Sequence, residues 1–97
     1  MTGTPQKSRY DAIVVGAGHN GLVAGAYLAK AGRSVLIVEA GDRVGGMAAS
    51  DEFHPGFRAP AAAHILHLLH PRVIADLGLV RHGLSYAAAD LATVSLL

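Results

Sequence analysis

A glycine-rich segment at residues 16–21 constrains the fold of this chain more than any other part of the sequence. It has the spacing G-x-G-x-x-G and follows directly on residues 11–15, an apolar run typical of a strand buried on both faces of a parallel sheet. Gly16 permits a sharp strand-to-helix turn, Gly18 permits close approach of a pyrophosphate, and Gly21 permits close packing of the helix on the strand. The segment therefore predicts the opening of a dinucleotide-binding βαβ unit.

The residues after the glycines predict the rest of this unit. A helix is expected over residues 20–31, with its free N–H groups and the positive end of its dipole facing a phosphate, and with Gly32 as its C-terminal cap. A second strand over residues 34–39 ends in Glu39, 18 residues after Gly21, close to the spacing of about 20 expected for a ribose-binding carboxylate. Because a carboxylate accepts hydrogen bonds from ribose hydroxyls and repels a 2′-phosphate, the sequence favours FAD or NAD over NADP.

A second glycine pair follows the acid in the sequence Arg43-Val44-Gly45-Gly46. With this R-x-G-G the chain resembles the glutathione-reductase-type FAD-binding flavoproteins, in particular their branch with amine oxidases and phytoene desaturases. The stretches GAGHNGLVAGAYLAKAG, EFHPGFR and LLHPRVIADLGLVRHGL resemble the phytoene-desaturase-like flavoproteins, and the resemblance covers residues 10–86. It implies an α/β fold: a partial Rossmann-like (βαβ) FAD-binding domain of glutathione-reductase type, followed by short helices.

The resemblance also implies which residues hold the cofactor. The first glycine loop would hold the FAD pyrophosphate through Gly16, Gly18, His19, Asn20 and Gly21. Glu39 would bind the adenosine ribose, and Arg43, Gly45 and Gly46 would lie along the pyrophosphate and ribityl part of FAD. Glycine pairs allow close backbone approach, and an arginine can neutralise a phosphate or anchor the loop through its guanidinium group. A solvated loop charge is the alternative interpretation of Arg43.

The composition excludes several functional classes. The 97 residues make one small domain at most, and a net charge of +1 gives no electrostatic reason to expect a nucleic-acid partner. The absence of cysteine excludes disulfides, thiol catalysis and the redox-active cysteine pair of disulfide reductases from these residues. A strand and a glycine turn interrupt the uncharged residues 12–29, so no transmembrane segment is expected. The chain is expected to be cytoplasmic, with peripheral membrane contact left open.

Three segments are expected along the chain. Residues 1–9 are polar and predict a disordered leader. Residues 10–50 are expected to form the βαβ FAD-binding unit and to end in a short helical turn. Residues 51–97 are expected to begin a connecting or substrate-side segment, and the end of the chain is expected to be a truncation. Within that last segment the sequence predicts a strand and turn at 51–58, helices at 61–69 and 72–77, and a connection and strand at 80–86.

Histidines in the expected helix at 61–69 raise a metal-binding hypothesis. His64, His67 and His70 are three residues apart, and an i, i+3 pair can share a metal ion. No carboxylate or cysteine nearby completes a ligand set, and apolar residues interleave with the histidines, so an ordinary amphipathic helix is the preferred interpretation. No metal site is predicted, and His54 is interpreted as a loop histidine.

The two glycine loops and Glu39, together with the family resemblance, predict the N-terminal FAD-binding segment of a flavin-dependent oxidoreductase. The resemblance alone implies a phytoene-dehydrogenase-like reaction on an apolar substrate such as a polyene. No catalytic side chain is assigned, because the chemistry belongs to the flavin, and the short chain is expected to be inactive alone.

Two alternatives stay open. One is an NAD-binding dehydrogenase fragment, for which the same glycines and Glu39 would serve but a second glycine pair is not required. The other is a truncated, non-catalytic nucleotide-binding module. In either case strands patterned for burial on both faces would leave apolar surface exposed, so self-association is expected.

Overall fold

The first half of the chain folds into a β-α-β unit. The computed structural model describes residues 3–92 and 94–96. Strand β1 (Ala12–Val15), helix α1 (His19–Lys30) and strand β2 (Val35–Val38) follow one another, and the two strands pair in parallel. All three elements lie within one residue of the predicted bounds, and the predicted α/β class is confirmed.

The C-terminal end of α1 is fixed by its glycine cap, as the sequence predicts. Gly32 has a left-handed backbone with φ of +83°. Its N–H donates to the carbonyl oxygen of Ala29, 3.0 Å away, and the N–H of Arg33 donates to that of Leu28, 3.1 Å away. This pair of bonds is the Schellman arrangement, which satisfies the last carbonyl groups of a helix and turns the chain towards the next strand.

Helix α1 covers one face of the two-stranded sheet. Gly25 is buried in the helix, and a Cβ at this position would lie 2.6 Å from Cδ1 of Ile37 on β2. On the opposite face Ile13 is 62% exposed and Val15 is 85% exposed. The accessible surface is 8211 Å², against about 5,200 Å² for a compact chain of this mass. An apolar sheet face is therefore open to solvent.

The second half of the chain contains a hairpin and a short helix. A 3-10 turn at Gly46–Ala48 leads into strands β3 (Ser50–His54) and β4 (Phe57–Pro60), which pair antiparallel. Helix α2 (Pro71–Asp76) begins with a proline at its first position, and Nδ1 of His70 accepts a hydrogen bond from the N–H of Arg72 at 3.1 Å. The hairpin and α2 agree with the turn and the second helix predicted from the sequence.

The helix predicted at residues 61–69 is wrong, because the structure shows no helix there. Nine residues are too few for a helix to be stable in water unless its apolar face is buried. Here Leu68 is 87% exposed and Ile65 is 54% exposed, so no such burial occurs. The backbone at the start of this segment instead lies beside the 3-10 turn, where the N–H of Ala63 donates to the carbonyl oxygen of Met47 at 3.0 Å.

The strand predicted within residues 80–86 is also wrong. The chain turns tightly after α2, and the N–H of Leu84 donates to the carbonyl oxygen of Leu79 at 2.9 Å. Gly83 has a φ of +102°, which is not a strand conformation. Backbone donors in this segment are used locally, so they are not available to a sheet.

The expected leader and the expected C-terminal segment extend beyond the described part of the chain. Residues 1, 2, 93 and 97 lie outside the described residues, and residues 3–9 are exposed and carry neither helix nor strand. Within the described ranges, no helix combines the length and the apolar character needed to cross a bilayer.

Candidate cofactor-binding site

The first glycine loop leaves β1 at its carboxyl end and turns sharply into α1. The N–H of Gly16 donates to the carbonyl oxygen of Val38 at 2.7 Å, which joins the ends of the two strands. Gly16 has a φ of +97°, a conformation that favours glycine. A Cβ on Gly21 would lie 2.0 Å from the carbonyl oxygen of Gly16, so the helix can pack this closely only with glycine at position 21.

Gly18 occupies a different environment from Gly21. It is the N-cap of α1, with an extended backbone, and no atom lies within 4 Å of the position a Cβ would take. The first helical turn carries His19 and Asn20 and no acidic residue, and no described side chain caps it. The loop therefore presents backbone N–H groups and the positive end of the helix dipole to an open space that an anion can enter.

Glu39 follows β2 and is fixed by backbone groups on two sides. Its Oε1 accepts a hydrogen bond from the N–H of Gly41 at 2.9 Å, and its Oε2 accepts one from the N–H of Ala17 at 2.7 Å. These bonds, that from Gly41 first, lower the pKa of the Glu39 carboxyl below its ordinary value. The carboxylate is therefore ionised at neutral pH, and each oxygen retains lone pairs for further donors such as ribose hydroxyls.

The second glycine loop, residues 43–46, packs against the first. The N–H of Gly45 donates to the carbonyl oxygen of Ala17 at 2.7 Å, and Gly45 forms an isolated parallel bridge with Gly18. Gly45 and Gly46 have φ values of +115° and +55°. A Cβ on Gly46 would lie 3.0 Å from the Cα of Gly18, so the two loops form the adjacent walls of one cradle.

Arg43 points from this loop to the hairpin. Its Nη1 donates to the carbonyl oxygen of Ser50 at 3.0 Å, and its Nη2 forms an ion pair with Oδ1 of Asp51. Both side chains of the pair are about half exposed. The roles of Ser50 and Asp51 are not predicted from the sequence, because an ion pair across a turn leaves no periodic pattern.

A groove of about 730 Å³ extends from the cradle along β2. Ala17, Glu39 and Gly41 line it at the carboxyl end of the strands, and residues 3–7 of the leader line it further along. Its volume lies in the usual range of about 300 to 1,000 Å³ for small-molecule sites. The open space at Gly18, the ionised Glu39 and this groove together fit the pyrophosphate and adenosine parts of a dinucleotide.

The histidines singled out in the sequence are not brought into this site. His54 is the last residue of β3 and not a loop residue as interpreted from the sequence; its ring packs edge-on against Phe57 with ring centroids 5.6 Å apart, and His70 caps α2. His64 and His67 are exposed. Across the part of the chain that the structure describes, no three His, Cys, Asp or Glu side chains are grouped to hold a metal ion.

Comparison with known proteins is consistent with this geometry. Residues 14–77 match the NAD(P)-binding Rossmann-like domain family. The chain is 45% identical over 84 residues to mouse pyridine nucleotide-disulfide oxidoreductase domain-containing protein 2, covering 87% of this chain and 14% of that protein. It is 47% identical over 84 residues to (S)-6-hydroxynicotine oxidase of Paenarthrobacter nicotinovorans, covering 84% of this chain and 19% of the oxidase.

A further relative is a limonene dehydrogenase polypeptide of Castellaniella defragrans, which is 45% identical over 83 residues, or 84% of this chain and 15% of that protein. The chain thus spans less than a fifth of the length of these relatives. Residues 14–77, which match the family, include the end of β1, the first glycine loop, α1, β2, Glu39 and the second glycine loop. The sequence match and the β-α-β geometry agree, and the chain belongs to the NAD(P)-binding Rossmann-like domain family.

Proposed function

We propose that this chain is the FAD-binding segment of a flavin-dependent oxidoreductase. The observation that carries the proposal is the seating of the second glycine loop on the first, through the hydrogen bond from Gly45 to Ala17. A single glycine loop and Glu39 would serve NAD equally well. A second wall of glycine backbone suits a longer cofactor that continues past the pyrophosphate into a ribityl chain.

Each part of the cradle has a proposed role in holding FAD. The pyrophosphate lies against the first loop: Gly16, Gly18, His19, Asn20 and Gly21. Glu39 accepts hydrogen bonds from the adenosine ribose, and Gly45 and Gly46 lie along the pyrophosphate and ribityl part. When bound, the flavin supplies the electron-accepting chemistry. The chain's own residues bind and orient the cofactor, and we assign no catalytic side chain among them.

The proposed substrate of the whole protein is an apolar molecule, in a phytoene-dehydrogenase-like reaction. The names of two relatives, an oxidase and a dehydrogenase, support an oxidoreductase, and the second name specifies limonene, an apolar hydrocarbon. We propose that the chain alone is inactive and that it functions in the cytoplasm, where it contacts a membrane surface at most peripherally. A net charge of +1 supports no nucleic-acid partner.

An NAD-binding dehydrogenase fragment is the second candidate. The name of the matched family, which includes NAD(P), favours it. Glu39 argues against the phosphorylated form of that cofactor, because its carboxylate is ionised and would repel a 2′-phosphate. A non-catalytic nucleotide-binding module is a third candidate that shares the same cradle.

Titration of the purified chain with FAD and, separately, with NAD tests the proposal. Flavin fluorescence and calorimetry should show saturable binding of FAD, weaker binding of NAD, and loss of FAD binding in the Glu39→Arg variant. Asp90→Arg makes the same change of charge outside both glycine loops and should bind FAD normally. Tighter binding of NAD would favour the dehydrogenase candidate, and binding of neither cofactor would reject the proposal for this chain.

A further inference from the structure

The second glycine loop is attached to the rest of the molecule at both of its ends. At one end Gly45 is bonded to Ala17 of the first loop, and at the other Arg43 is bonded to Ser50 and Asp51 of β3. We propose that Arg43 is a positioning residue: through Ser50 and Asp51 it holds the second glycine loop against the first, and it does not itself bind phosphate. This inference rests on the proposed function, because the loop it positions is a wall of the proposed FAD cradle.

The geometry of the guanidinium group supports this role. Nη1 and Nη2 of Arg43 bind two different groups, the carbonyl oxygen of Ser50 and the carboxylate of Asp51. Two contacts from one planar group fix its orientation as well as its distance. Asp51 is itself held in register opposite Ala59 on β4, so the anchor point belongs to a paired strand.

The loop needs an anchor of this kind. Gly45 and Gly46 both have positive φ, and glycine has more backbone freedom to lose on ordering than any other residue. Only Val44 separates Arg43 from Gly45, so fixing Arg43 restricts where the N–H of Gly45 can point. Without the anchor, the hydrogen bond from Gly45 to Ala17 would have to order the loop alone.

Direct binding of phosphate by Arg43 makes the opposite prediction for Asp51. If Arg43 bound the cofactor, the Asp51 carboxylate would compete with the phosphate for the guanidinium group, and its removal would tighten binding. If Arg43 acts through Ser50 and Asp51, removal of the Asp51 carboxylate weakens binding, and removal of Arg43 weakens it further because the contact with Ser50 is lost as well. The two roles are therefore separated by the sign of the effect at position 51.

Titration of FAD into Arg43→Ala, Asp51→Asn and the double variant measures that sign. We expect Arg43→Ala to weaken FAD binding about three- to fivefold, Asp51→Asn to weaken it less because the contact with Ser50 remains, and the double variant to bind no more weakly than Arg43→Ala. Arg43→Lys keeps the charge and one contact and should fall between wild type and Arg43→Ala. Arg58→Ala removes an exposed arginine from β4 of the same hairpin and should bind FAD as wild type does.

Hydrogen exchange of backbone amides in the cofactor-free chain gives a second readout. The Gly45 amide should exchange several times faster in Arg43→Ala and in Asp51→Asn, whereas the Gly16 amide, bonded to Val38, should be unchanged. Unchanged exchange at Gly45, or tighter FAD binding in Asp51→Asn, would overturn the inference. If the wild-type chain binds no FAD, the proposed function fails, and exchange at Gly45 still decides the role of Arg43.

Discussion

Glu39 and Ala17 are joined by a hydrogen bond of 2.7 Å from the Ala17 amide to the Glu39 carboxylate. The carbonyl oxygen of the same residue, Ala17, accepts the N–H of Gly45, also at 2.7 Å. Ala17 is 1% exposed, the one fully buried apolar side chain among the described residues. One peptide segment therefore connects the first glycine loop, the acid after β2 and the second glycine loop, so a change at any of the three should affect the other two.

Glu39→Gln should weaken FAD binding roughly tenfold, since hydrogen bonds to a charged group are stronger than neutral ones. Whichever way the new amide is oriented, its NH2 group must face either the Ala17 or the Gly41 N–H, so one donor loses its acceptor. Calorimetric titration measures the affinity. Glu52→Gln, which alters a carboxylate of the hairpin, is the control and should bind FAD with the wild-type affinity. Equal losses of FAD affinity in both variants would contradict a specific role for Glu39.

The stability of the fold should fall in acid. The pKa values of Glu39 and Asp11 are both lowered, the first by backbone N–H donors and the second by hydrogen bonds from Ser34. A carboxyl group whose pKa is lower in the folded state stabilises the fold above its unfolded pKa, and this contribution is lost as the pH falls through about 4 towards the folded value. Urea unfolding measured between neutral pH and pH of about 3 tests this, and the Asp11→Asn, Glu39→Gln double variant should show a flatter dependence.

Two glycines of the same loop should respond differently to alanine. Gly21→Ala places a Cβ 2.0 Å from the Gly16 carbonyl oxygen and should destabilise the fold by about 3 kcal/mol, the cost of overpacking a rigid backbone contact. Gly18→Ala meets no atom within 4 Å, and its stability should change by less than about 1 kcal/mol while FAD affinity falls. Thermal unfolding and titration of both variants separate packing from ligand approach; loss of stability in Gly18→Ala would contradict this distinction.

Much of the β-α-β unit could be predicted from the sequence because each of its glycines is required by the local backbone geometry. The turn at Gly16, the packing at Gly21 and the cap at Gly32 each depend on residues close to them in the sequence. The spacing of the glycines is therefore enough to predict these features. The acid at Glu39 could be found in the same way, because its distance from the glycines is set by one helix and one strand.

The features that could not be predicted depend on what surrounds a segment. Residues 61–69 have helical periodicity, but periodicity predicts a helix only where some surface covers its apolar side, and Leu68 is 87% exposed. The Arg43–Asp51 pair depends on how the hairpin folds back on the loop, which spacing alone does not specify. Sequence patterns therefore predicted the β-α-β unit well and the second half of the chain less well.

The attachment of helix α2 to α1 should weaken at alkaline pH. The Tyr27 hydroxyl donates to Oδ2 of Asp76 at 2.8 Å, and this bond, followed by desolvation, raises the pKa of Tyr27. A tyrosine whose pKa is higher in the folded state stabilises the fold below its unfolded pKa of about 10, and the contribution is lost as the pH rises through the folded value. The protection of α2 amides, measured against the base-catalysed intrinsic exchange rate, should therefore fall above that pH in wild type.

Tyr27→Phe is the matched variant for this contact, because it removes the hydroxyl and keeps the ring. Relative to the base-catalysed intrinsic rate, it should show fast exchange in α2 at neutral pH and no further loss of protection in alkali, while exchange in β1 and β2 is unaffected. Tyr10→Phe removes a hydroxyl that accepts the N–H of Lys7 in the leader and should leave α2 as in wild type. Equal exchange in α2 of wild type and Tyr27→Phe would show that the bond does not hold the helix.

The open face of the sheet should make the isolated chain self-associate. Ile13 and Val15 alternate along β1 on the side that α1 does not cover, and they are 62% and 85% exposed. Burial of such side chains against a second copy is favourable by about 25 cal/mol for each Å² removed from water. Sedimentation of the wild-type chain at micromolar concentration should therefore detect dimers or larger species, and the Ile13→Lys, Val15→Lys double variant should shift the population to monomer.

Leu91→Lys, which changes a side chain that is 77% exposed in the C-terminal segment, is the control for this prediction and should associate as wild type does. A wild-type chain that is monomeric and unfolds cooperatively would contradict this prediction, and dissociation by Leu91→Lys instead would place the contact in the C-terminal segment.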